Sequence, residues 1–152
     1  MLKPAPQPSA ILALLIAIAL SAPAHAEVRG IQDGAQMTRA VAGKVRDIST
    51  PELQREIERN PDLVLIDIRM PDEIRDMGGA IKATQNVNIP RGWLEFRVTG
   101  HAQRKNAPIV VYCGGNIRSV LAAHTLQQMG YTNVRNYADG FIGWKRNGLP
   151  VE

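Results

Sequence analysis

The chain contains a single cysteine, Cys113, which closes the apolar run APIVVYC and is followed at once by two glycines. Gly114, Gly115, Asn116 and Ile117 separate it from Arg118. A thiol so placed can be a packing residue, because free cysteine is among the most buried residue types. It can also be a nucleophile, because backbone N–H groups, a helix N-terminus and a nearby cation all stabilise a thiolate. Such surroundings lower a cysteine pKa from about 8.5 to roughly 3.5–7.5, and two units correspond to about 2.7 kcal/mol. That shift turns a thiol that is mostly neutral at neutral pH into one that is mostly ionised. The glycine pair and the arginine at the mouth of the next helix favour the nucleophile. Arginine in a first helical turn opposes the helix dipole, so it needs a reason of its own. With one cysteine no internal disulfide can form, and covalent or redox chemistry must run through a second molecule.

The elements that would position this thiol can be read from the patterning. Residues 107–113 read as a strand, and RSVLAAHTLQQMG as an amphipathic helix closed by Gly130. Cys113 then lies where a strand ends and a helix begins, the usual ligand position in an open parallel sheet. LVLIDI, residues 63–68, is nearly continuous apolar, as expected of a strand covered on both faces. VRDIS, residues 45–49, reads as a short strand, and Thr50-Pro51 as the N-cap and first residue of a helix. That helix runs through ELQREIERN, with Leu53 and Ile57 on one face, to a stop at Asn60-Pro61-Asp62. Pro71 opens a short helix, NVNIP (86–90) is a further strand, and RGWLEFRV is helical. NVRNYADG forms a last short strand and turn, and FIGWKRNGLP a terminal helix. Strands alternating with helices predict an α/β fold, a parallel sheet of about five strands flanked by helices.

The first residues stand apart from that fold. Lys3 precedes the unbroken apolar run AILALLIAIAL, and SAPAHA follows with small residues at Ala24 and Ala26. The run is well short of the roughly 20 residues that span a bilayer. Together these features predict a signal peptide over residues 1–26, cleaved after Ala26, and a periplasmic protein beginning at Glu27. No stable membrane anchor is expected. The 152-residue chain less this leader suits one domain, with an N-terminal extension over 27–44 that contains a short helix and the domain proper over 45–152. The net charge is only +4, one unit of it on Lys3, and no basic cluster is interleaved with aromatics, which argues against a nucleic-acid partner. No ligand cluster has metal spacing, and no cofactor is expected.

The segment YCGGNIRS resembles the active-site loop of rhodanese-like sulfurtransferases, in which cysteine, four residues and arginine follow one another. The likeness extends to ISTPELQREI with LVLIDIRMPDEI, to GAIKATQNVNIPRGWLEF, and to the ending NVRNYADGFIGWKRNGLPVE. It covers roughly residues 46–152. The resemblance implies a single rhodanese-like domain in which Cys113 takes the outer sulfur of a small anionic donor such as thiosulfate as a persulfide. A thiophilic acceptor, cyanide or a thiol, a protein thiol included, would then remove it. It further implies that the N–H groups of residues 114–118 hold the persulfide charge. Arg118 would orient the donor bidentately and tie the loop down.

Two departures stand out. Asn116 occupies a position where the family usually has glycine; asparagine is the best substitute if positive φ is needed, though its side chain is expected to narrow the pocket. Gly79-Ala80-Ile81-Lys82-Ala83-Thr84 lacks the family's usual histidine and second glycine. Among supporting residues, Asp67 and Arg69 end the strand: Asp67 braces the active loop, or forms an ion pair or cap at the sheet edge, and both can hold; Arg91 either lines the pocket or lies on the surface. Trp93, Phe96 and Trp144 are expected in the core or pocket wall, and His124 as a packing or surface residue. Two other functions are compatible with these residues. One is a non-catalytic binding or sulfur-carrier module. The other is a cysteine phosphatase or arsenate reductase, whose loops usually place five residues between cysteine and arginine to make room for a tetrahedral oxyanion.

Overall fold

The structure is a computed structural model that describes Met1 and residues 30–152. The expected leader and its cleavage site lie outside the described residues. Among the described residues no helix is long and apolar enough to cross a membrane.

The two apolar runs become the inner strands of a five-stranded parallel sheet, as expected. In chain order the elements are α1 (Gly34–Ala42), β1 (Arg46–Asp47), α2 (Thr50–Arg59), β2 (Val64–Asp67), α3 (Pro71–Asp76) and β3 (Asn86–Asn88). They continue with α4 (Leu94–Arg97), β4 (Ile109–Tyr112), α5 (Ser119–Gln128), β5 (Val134–Asn136) and α6 (Gly140–Arg146). The strand order is β1-β5-β4-β2-β3, so β4 is central, between β2 and β5.

Side chains alternate across the strands and divide the core in two. Val64, Ile66, Ile109, Val111, Cys113 and Val134 face one side, where Val120, Ala123 and Leu126 of α5 and Leu94 of α4 cover them. Leu65, Val110 and Tyr112 face the other, against Leu53 of α2 and Phe141 and Trp144 of α6. Every residue of β2 and β4 is buried. Each such aliphatic side chain contributes on the order of 1.5–3 kcal/mol relative to exposure, which explains their unbroken apolar sequence.

Several local expectations need correction. The cap of α2 is Ser49 rather than Thr50, because Glu52 reaches back to the Ser49 N–H and hydroxyl at 3.0 and 2.7 Å. Thr50 instead donates to Asp139 at 2.8 Å and shares a hydrogen bond with Tyr137. The segment RGWLEFRV holds only one turn of regular helix, flanked by 3-10 turns, because its buried residues Leu94 and Val98 are one turn apart. Trp93 and Phe96 are exposed and stack edge to face, 6.2 Å between centroids, whereas Trp144 is in the core as expected. α6 ends at Arg146, and Val151 then pairs antiparallel with Ile81.

Candidate active site

Cys113 leaves the carboxyl end of the central strand on the face covered by α5, and its side chain is almost fully enclosed, 1% exposed. The residues after it curl back, and α5 begins at Ser119. Burial by itself pushes the Cys113 thiol up. The Arg118 N–H, the Ser119 hydroxyl and the N–H groups of Ser119 and Gly115 outweigh it, so the thiol is held below its usual value. Sγ lies 3.6 Å from Ser119 Oγ, donating to it as a thiol and accepting from its hydroxyl once ionised. These surroundings favour the thiolate form, the form in which a cysteine acts as a nucleophile.

Asn116 has φ of +48°, the only non-glycine residue with positive φ among the described residues. Its backbone therefore does what glycine would do. The side chain does not narrow the pocket as expected: its Oδ1 accepts from Nδ2 of Asn136 at 2.8 Å, back towards the end of β5. The loop is also fastened from α6, where the N–H groups of Phe141 and Ile142 donate to the carbonyls of Cys113 and Gly114 at 2.9 and 3.0 Å. Gly140 makes that approach possible, since a Cβ there would lie 2.6 Å from the Gly114 oxygen. Ile117 is largely exposed, and its carbonyl accepts from the Thr38 hydroxyl of α1 at 3.3 Å.

Arg118 ties the loop down, but its fork is spent on a carboxylate of the protein. Nη1 and Nη2 donate to Glu73 of α3 at 2.7 and 2.6 Å. The Arg118 pairing, against an opposing burial effect and with help from the Met70 N–H, holds the Glu73 carboxyl down at about 2.

Asp67 and Arg69 form the ion pair rather than a brace for the Cys113 loop. Arg69 Nε and Nη2 donate to the Asp67 carboxylate, the shortest contact being 2.6 Å, and both side chains are fully buried. Arg69 also donates to the Gly79 carbonyl at 3.0 Å and stacks 4.0 Å from the Phe141 ring centroid. Its role is to join β2, the turn after α3 and α6. Arg91 is bound to Glu95 at 2.8 Å and to the Thr125 hydroxyl at 3.1 Å. With Arg118, Met37, Leu121 and His124 it lines a cleft of about 340 Å³ between α1 and α5.

Glu73, Ser119, Asn136 and Gly140 belong to the site without having stood out in sequence. Ser119 had a visible signal, since it opens the helix after the loop. Glu73, Asn136 and Gly140 had none, because each reaches the loop from an element remote in the chain.

Comparison with known proteins adds an independent line. A family model, the rhodanese-like domain, matches residues 49–147. A sulfurtransferase from Allochromatium vinosum is 33% identical over 107 residues, which cover 70% of this chain and 94% of that protein. Among solved structures, the polysulfide-sulfur transferase homodimer of Wolinella succinogenes aligns with a TM-score of 0.68 at 29% identity, covering 76% of this chain and 84% of its own. A Rhodopseudomonas palustris protein called a possible tyrosine phosphatase aligns with a TM-score of 0.70 at 29% identity, over 80% of this chain and 95% of its own.

Proposed function

The chain belongs to the rhodanese-like domain family, and on that premise we propose that it is a sulfurtransferase carrying sulfane sulfur as a persulfide on Cys113. The observation that supports this most is the enclosure of the Cys113 sulfur where the central strand ends and α5 begins, 3.6 Å from Ser119 Oγ, with the thiol held below its usual value. With thiosulfate as donor, the Cys113 thiolate attacks the outer sulfur, the donor S–S bond breaks, and sulfite leaves with the electron pair. The persulfide anion remains in the same donors that held the thiolate. Cyanide then attacks the outer sulfur, the persulfide S–S bond breaks, and thiocyanate departs as the thiolate is restored. A thiol acceptor removes the sulfur in the same manner. No step calls for a cofactor.

The leader over residues 1–26 supports a periplasmic setting for this chemistry. The phosphatase reading has one observation in its favour, the possible tyrosine phosphatase among the structural neighbours. Against it stand the four-residue loop and the pairing of both Arg118 Nη atoms with Glu73, which leaves fewer of its N–H groups for a tetrahedral oxyanion.

Mass spectrometry of wild type after thiosulfate should show one added sulfur, removed by cyanide as thiocyanate, and none on Cys113→Ser. The same pair of proteins should not differ in hydrolysis of an aryl phosphate. An unmodified wild type that forms no thiocyanate refutes the sulfurtransferase, and Cys113-dependent phosphate release supports the phosphatase in its place.

A further inference from the structure

The Asn116 side chain is the end of a polar chain that crosses the sheet. Asn136 is the last residue of β5 and lies opposite Val111 of β4 on one side and Asp47 of β1 on the other. By strand alternation it shares a face with Val134, Val111 and Cys113. Its Nδ2 donates twice, to Asp47 Oδ1 at 2.7 Å and to Asn116 Oδ1 at 2.8 Å. Asn136 is fully buried, yet its own Oδ1 has no partner among the described residues. An open buried acceptor is destabilising, and an apolar residue of similar volume at this position would avoid it. The carboxamide is therefore better explained by what it donates to than by packing.

We infer that Asn136, oriented by Asp47, is a positioning residue that holds Asn116 in the left-handed conformation and thereby aims the loop N–H groups at the Cys113 sulfur. Left-handed backbone is costly for residues other than glycine, least so for asparagine and aspartate. A glycine in the loop would need no tether; an asparagine that turns the chain the same way gains one from the sheet. Asn136 touches neither the sulfur nor any substrate position and acts only through Asn116. The inference rests on Cys113 being the nucleophile.

The test is the ionisation of Cys113, followed by thiolate absorbance against pH and by the rate of alkylation with iodoacetamide. Asn136→Ala should raise the thiol pKa, with alkylation slowed about tenfold per unit in the range where the thiol is mostly protonated. The variants leave in place the charges on the neighbouring elements: Arg118 with Glu73 of α3, Asp67 of β2 with Arg69, and Asp139 and Lys145 about α6. Asp47 of β1 loses its Asn136 partner in Asn136→Ala and in the double variant alike, so the comparison of the double variant with Asn116→Gly separates that effect from loop geometry. Glycine in place of Asn116 removes the need for the tether, so Asn116→Gly/Asn136→Ala should titrate as Asn116→Gly does alone. If Asn136→Ala fails to fold, Asn116→Ala on the exposed loop serves instead, and it too should raise the pKa. An unchanged titration in a folded Asn136→Ala or in Asn116→Ala, or a double variant displaced beyond Asn116→Gly, overturns the inference. Alkylation needs no sulfur donor, so wild type that fails to take sulfur from thiosulfate defeats the sulfurtransferase reading while this test still reports on the tether.

Discussion

At the scale of single residues, the pairing of Glu73 with Arg118 makes a statement about pH. The Glu73 carboxyl is held down from 4.5 to about 2, first by the hydrogen bonds from Arg118. Its folded pKa is thus below its unfolded one, so the pairing stabilises fully above pH about 4.5 and is lost as the pH falls towards about 2. Both side chains are about a third exposed, and solvent screening limits such a pair to roughly 0–1 kcal/mol. Glu73→Gln should therefore melt slightly below wild type at neutral pH, with the gap narrowing below pH 4.5 and closing near 2 in thermal melts followed by circular dichroism. A gap of constant size down to that pH would assign the difference to something other than the carboxylate.

Between elements, the loop is set by contacts from four directions: α1 through Thr38, α3 through Glu73, α6 through its first N–H groups, and β5 through Asn136. The α6 contact is the closest at the backbone. Gly140 has φ of +59° and no room for a Cβ against the Cys113 and Gly114 carbonyls, whereas Gly148, with φ of +66°, has open space around it. Gly148→Ala should lose only the conformational term of about 1–2 kcal/mol. Gly140→Ala should lose more in chemical denaturation, and should disturb Cys113 alkylation as well. Equal losses in the two variants would mean that α6 can draw back from the loop without cost. The buried Asp67–Arg69 pair belongs to this scale too. It binds β2 to α6 and the turn at Gly79.

For the molecule as a whole, the strand and helix alternation and the position of Cys113 at a strand end were legible in the linear chain, and asparagine at position 116 was compatible with a positive φ there. They are local facts: apolar runs read as buried strands, and a Gly-Gly-Asn stretch reads as a tight loop. Boundaries were less legible, as the cap at Ser49 and the single helical turn within RGWLEFRV illustrate, because hydrogen bonding competes over one or two residues there. Export is also a whole-chain property. A full-length chain produced in a cell with a secretion pathway should yield a mature form whose N-terminal residue is Glu27, read by mass spectrometry; retention of residues 1–26 would refute the leader. By itself the sequence determined that a lone cysteine ends a strand of a parallel α/β fold, which made it the candidate nucleophile. The tertiary structure alone decided that Arg118 is committed to Glu73, that Asp67 serves Arg69, and that Asn116 leans on Asn136. The physical reason is that these partners lie between 2 and 45 residues apart in the chain, and even where they are near neighbours, only packing selects one acceptor among several of equal chemistry.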